Sequence, residues 1–196
     1  MFFHQGAPPL GEGALRTEPG LEALRAAAAA HLSAAGQLQV ATALDMLAAA
    51  EAQLGPLRKQ LTQTARHLTG AKVLAARLYG VGPVTGLALT CWLAGKDRFS
   101  SSRKAVRFTG PGHHRALLGR KGPPGKLSRQ GPPVLRWAVY EAGKTQARTS
   151  APDHGYYAAV AGRKNTKRAA LPEARKIVRQ ACRILTELGD DALTIA

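Results

Sequence analysis

The sequence predicts a mainly α-helical protein: a helical coiled-coil arm, then a helical domain with a helix-hairpin-helix element and a basic Gly/Pro loop. Three observations predict it. Hydrophobic residues make up 45% of the chain but aromatics only 5%, with alanine runs supplying much of the difference. Ala favours helix and fills little volume, which suits close-packed helices over broad sheets. Apolar residues recur at helical spacing, and no stretch keeps a clean two-residue alternation. Residues 115–129 alone are compatible with a small β-hairpin, around Gly122-Pro123-Pro124-Gly125. At 196 residues the chain has room for one ordinary domain and an appendage.

The elements follow in order. Residues 1–20 hold Pro8, Pro9, Pro19 and four glycines with no apolar period, the composition of a linker. Residues 21–74 are expected to form the coiled-coil region. Within it Leu21, Leu24, Ala28 and Leu32 predict a short helix, ended at Ser33-Ala34-Ala35-Gly36 with Gly36 as a left-handed cap. A longer helix is expected over 37–69, where Val40, Leu47, Leu54, Leu61 and Leu68 recur every seven residues and Leu44 and Leu57 widen the stripe. Pro56 removes a backbone donor and clashes with the preceding turn, which predicts a kink or a break. The stripe suits packing within one subunit and dimerisation equally. Residues 75–196 form the second domain, with helices expected at 83–94, 102–108, 133–150, 152–161 and 171–188. Ser100-Ser101-Ser102 reads as a helix cap, and Trp92 and Trp137 read as core; the Tyr156-Tyr157 pair could stack on a base or attack a phosphate as a tyrosine recombinase does, but core packing is the better reading.

Charge narrows the function. The formal net charge is +16, a field that favours a polyanion such as nucleic acid or an anionic membrane surface. The excess is concentrated: residues 96–183 hold 21 of the 28 Lys and Arg but 4 of the 12 acids. A solubility charge is spread along a chain, whereas a binding surface is concentrated. No apolar run is long enough to span a bilayer, and the amino terminus lacks the pattern of a signal peptide. Cys91 and Cys182 make no metal-ligand spacing and no disulfide framework. A cytoplasmic protein without a membrane partner is expected.

Two local signals carry chemistry. In Leu78-Tyr79-Gly80-Val81-Gly82-Pro83-Val84-Thr85 a helix ends, a tight Gly-x-Gly turn follows, and Pro83 opens the next helix. Gly80, Gly82 and Thr85 would let a phosphate approach backbone N–H groups at a helix start, as in a helix-hairpin-helix grip on DNA backbone. Many such turns are simple connectors. In residues 119–133, Arg120, Lys121, Lys126 and Arg129 alternate with Gly and Pro, and Arg136 follows on the next helix. Ser128 stands between Lys126 and Arg129, where a hydroxyl can attack a phosphodiester with cations at hand to steady the developing charge. Most loop serines only form turns or caps. With Arg103 and Lys104 these residues make up the expected DNA-binding set. His113-His114 lack further ligands at useful spacing, and the acids form no cluster able to hold two magnesium ions.

At these residues the chain resembles the IS116/IS110/IS902 family of insertion-sequence transposases. The likeness rests on residues 78–88, Arg98-Phe99-Ser100-Ser101-Ser102-Arg103-Lys104-Ala105, Phe108-Thr109-Gly110-Pro111-Gly112 and Lys126-Leu127-Ser128-Arg129-Gln130-Gly131, with Leu135-Arg136 and Tyr140-Glu141-Ala142 after them. Tyr156-Tyr157, Gly162-Arg163, Lys167-Arg168-Ala169-Ala170 and Ala174-Arg175-Lys176 look like the same family's tail. The resemblance implies a carboxy-terminal domain with a nucleophilic serine, which falls on Ser128 in a motif of the form Ile/Leu-Ser-Lys/Arg-x-Gly. It also implies an amino-terminal RuvC-like domain with magnesium-binding acids, an element-encoded guide RNA, DNA as substrate and assembly as a homo-oligomer. Pro132-Pro133 depart from the usual residues after the motif. Nothing in the chain resembles the RuvC-like domain, so a truncated member is expected, with magnesium needed only by the part that is lacking. The alternative is a non-catalytic helix-hairpin-helix module that only binds nucleic acid; an RNA-binding protein akin to ribosomal proteins ranks last.

Overall fold

The first helix, α1 (Glu18–His31), starts where Thr17 stops being helical: the Thr17 hydroxyl accepts from the Gly20 N–H at 3.3 Å, and Pro19 occupies the first turn. It buries Leu24 and Ala28 and ends at an extended Leu32. The next helix, α2 (Ala34–His67), begins at once. Gly36 is therefore not a left-handed cap. It lies in the first turn of α2, where the Ser33 hydroxyl accepts from its N–H at 3.4 Å, and a Cβ there would sit 3.1 Å from that of Leu32. Gln37 closes the corner, its side-chain amide donating to the Leu32 carbonyl at 3.0 Å. Nor does the chain break at Pro56: α2 runs through it as one helix.

The computed structural model describes residues 11, 13–95, 98–110 and 131–195. Among them are eight α-helices and one isolated backbone bridge, so the mainly α class holds. The helices after α2 are α3 (Thr69–Arg77), α4 (Pro83–Leu93), α5 (Ser102–Phe108), α6 (Pro133–Lys144), α7 (His154–Arg163) and α8 (Thr166–Leu188). The hairpin expected within 115–129 lies outside the described residues. No described helix is long and apolar enough to cross a membrane.

The chain divides into two compact units, Met1–Arg58 and Lys59–Ala196. In the second unit α8 is the central element, packing against α5, α6 and α7. Its buried stripe runs Ala169, Ala170, Glu173, Ala174, Ile177, Val178, Ala181, Cys182 and Leu185, the spacing of one broad helical face. Small residues set how closely its neighbours approach. A Cβ on Gly143 of α6 would come within 2.5 Å of the Ala170 carbonyl oxygen of α8. That is the structural use of the alanine-rich composition. Leu74, Leu89, Leu135, Val139, Val178 and Leu185 fill the centre. The tail is tied back by Thr69, whose N–H and hydroxyl both donate to the Thr194 carbonyl, at 3.0 and 3.1 Å.

Further expectations change in this unit. α8 starts at Thr166 rather than 171, because the Asn165 side chain caps it by accepting from the Arg168 N–H at 2.8 Å. α6 stops at Lys144 and tightens into a 3-10 turn over Thr145–Ala147. Trp92 and Trp137 are not core: they are 39% and 60% exposed. Of the tyrosine pair Tyr157 is buried, its hydroxyl donating to the Thr166 carbonyl at 3.2 Å, while Tyr156 is exposed.

Candidate nucleic-acid interface

The turn between α3 and α4 forms as its residues dictate. α3 ends when Leu78 becomes extended, and Gly80 takes φ +80°, a conformation that costs other residues. Pro83 opens α4. The two glycines differ in surroundings. A Cβ on Gly80 would lie 2.1 Å from the Thr145 hydroxyl oxygen and 2.8 Å from the Ala142 carbonyl oxygen, so the end of α6 packs directly on it. Gly82 has ordinary extended angles and nothing within 4 Å of its Cβ position. It is exposed, and Thr85 behind it is half-buried. By helix geometry the N–H groups of Val84 and Thr85 have no intrahelical partner, and the helix dipole makes that end attractive to an anion.

Short α5 buries Ala105 and Val106 and turns Arg103, Lys104 and Arg107 outward, each without an ion-pair partner among the described residues. Ser101 holds its cap position, but its side chain makes no capping hydrogen bond. Ahead of α5 the Arg98 guanidinium lies 5.7 and 5.6 Å from the ring centres of Phe99 and Phe108, and Trp92 leans on the latter at 6.3 Å.

α5 ends at a junction that bears on the basic loop. Gly110 (φ +84°) follows it, and Gly131 (φ +85°) precedes α6. A Cβ on Gly131 would lie 1.7 Å from the Phe108 carbonyl oxygen. The chain on either side of residues 111–130 thus comes together at the carboxy-terminal end of α5 and the start of α6. Arg136 is half-buried in the first turns of α6. Ser128, Arg120, Lys121, Lys126 and Arg129 lie outside the described residues, as do His113 and His114.

One group escaped the sequence reading. Glu173 is buried, 2% exposed, and its carboxyl meets that of Asp153, which also receives the Lys176 ammonium. Burial, with the Asp153 charge second, pushes the Glu173 carboxyl above its ordinary range; Lys176 pulls the other way. The signal was present as a lone acid on the otherwise apolar stripe of α8. Among the described residues no group of three or more His, Cys, Asp or Glu can hold a metal ion, so the residues described do not fit the magnesium that the resemblance implies.

Residues 72–158 match the family model described as Transposase IS116/IS110/IS902 family. This stretch is similar to a domain of that transposase family. It runs from α3 into α7 and so takes in the Gly80–Gly82 turn, α5, the basic loop and α6. A transposase works on DNA, so the match implies a transposase-related function with a DNA partner. No curated protein matches the chain significantly.

Proposed function

We propose that the chain handles DNA during transposition, binding sugar–phosphate strands through its basic second half and using the Ser128 hydroxyl as nucleophile. The observation that carries this reading is that one transposase-family match spans both the Gly-x-Gly turn and the basic loop, within the half that holds the charge excess. Gly82, with the open N–H groups of Val84 and Thr85, receives one phosphate; Gly80 gives the turn its shape. Arg103 and Lys104 add sequence-independent attraction. Gly131, three positions beyond Ser128 in the sequence, packs against the Phe108 carbonyl, which brings the start of α6, with Arg136, to the end of α5.

The chemistry balances without a further reactant. The Ser128 oxygen attacks the phosphorus of a phosphodiester, an ester bond to serine forms, the bond to one sugar oxygen breaks, and the serine proton ends on that oxygen. Attack by another strand's free hydroxyl reverses the step and completes an exchange. Lys126, Arg129 and Arg136 neutralise the phosphoryl oxygens. An element-encoded RNA as guide and a homo-oligomer through α2 belong to the same reading; exposed Leu54, Leu57 and Leu61 offer such a seam. The test is to trap a covalent adduct on a nicked DNA substrate under denaturing conditions. Ser128→Ala is expected to abolish the adduct and leave DNA affinity intact. An adduct of undiminished yield in that variant removes Ser128 from the role.

A further inference from the structure

Between the start of α7 and the first half of α8 lies an open cleft lined by Asp153, Tyr156, Glu173, Arg175, Lys176 and Arg179. Four of these six lie beyond the family-matched residues, and the strand chemistry above uses none of them. Arg175 and Arg179 are one turn apart on α8 and share a face. Arg175 is half-buried, and burial together with the neighbouring Arg179 charge makes its charged form harder to keep. A phosphate fits the forked donors of such a pair. Lys176 is already engaged by Asp153. Tyr156 is 54% exposed at the rim, a flat apolar face beside the cationic pair. Glu173 is 2% exposed and, among the described residues, its Oε2 has no hydrogen-bond partner, a state that buried polar atoms rarely keep.

We propose that this cleft binds one unpaired nucleotide of a DNA or RNA strand, with its base stacked on Tyr156, its polar edge meeting Glu173 and its phosphate held by Arg175 and Arg179. A simple anion would use only the two arginines. A nucleotide uses the ring and the carboxyl as well, and its base N–H groups supply the partner that Oε2 lacks. A fully paired duplex cannot fill the cleft, because its base edges are engaged and its faces stacked; an extruded or single-stranded base can. The inference rests on the nucleic-acid reading above, and its test separates the two.

The full chain is titrated by fluorescence anisotropy with a paired duplex, with the same duplex carrying a single bulged nucleotide, and with a bulge whose base is removed but whose phosphate remains. DNA and RNA versions identify the source of the nucleotide. The base-bearing bulge is expected to bind roughly tenfold more tightly than the other two, the scale of one aromatic–base stack. Tyr156→Ala should erase that preference and leave paired-duplex affinity unchanged, while Tyr156→Phe keeps it. A fluorescent adenine analogue at the bulge should be quenched by the parent chain and by Tyr156→Phe but not by Tyr156→Ala. Equal affinity for all three probes, or a preference that survives Tyr156→Ala, overturns the pocket while the DNA-binding reading stands. Failure to bind any probe overturns both.

Discussion

Gly80 and Gly82 stand two positions apart in one turn, and the sequence treats them alike. Their surroundings separate them: Gly80 is held at positive φ against Thr145, and Gly82 faces open space. Gly80→Ala is expected to cost about 1–3 kcal/mol of stability, read by denaturant unfolding, through backbone strain and the clash with α6. Gly82→Ala should leave stability within about 0.5 kcal/mol and weaken duplex DNA binding, because the added methyl stands where a phosphate would approach. An unchanged affinity would remove this turn from the interface. Glu173 gives a pH prediction. Its carboxyl is raised above the ordinary 4.5, so the folded state binds the proton more tightly than the unfolded chain. Stability therefore falls as pH rises from that value through the folded one. Glu173→Gln should flatten this decline, checked by unfolding at a series of pH values; an unaltered decline would mean that another group causes it. The burial of this acid was readable only as an exception on an apolar stripe, since its partner Asp153 lies twenty positions away and meets it through folding.

Helices were the legible elements, because the period of apolar residues decides them locally. α4 and α5 fall within a residue of where spacing put them. Errors gathered where a boundary depends on a side-chain cap or a neighbour: Asn165 starts α8 early, and Ser33 draws Gly36 into α2. The tryptophans failed for a related reason. Trp137 has a core composition, but it lies on a different face of α6 from Leu135, Ala138, Val139 and Ala142, which take the packing against the rest of the unit. The contrast within elements is testable. Leu135→Ala and Leu185→Ala, both fully buried, are expected to cost about 2–5 kcal/mol each. Leu61→Ala, 45% exposed, should cost little in the monomer and act on self-association if α2 is the seam, a shift that sedimentation across protein concentrations detects.

At the scale of the molecule, charge was the most legible property, because it needs no fold to be counted. Its segregation into residues 96–183 pointed to a polyanion before any helix was placed. What the sequence could not supply was which cations act together: α5 turns three of them outward on a helix whose other face is packed, and the Arg175–Arg179 pair joins Tyr156 only because α7 folds onto α8. The central claim, that this half of the chain binds sugar–phosphate strands, is tested most directly by the salt dependence of duplex DNA affinity. Between about 50 and 200 mM salt the affinity of the full chain should fall by orders of magnitude, linearly on logarithmic axes. The Arg103→Ala and Lys104→Ala substitutions should each reduce the slope by about 1. Binding that is absent, or that does not respond to salt, would contradict the account.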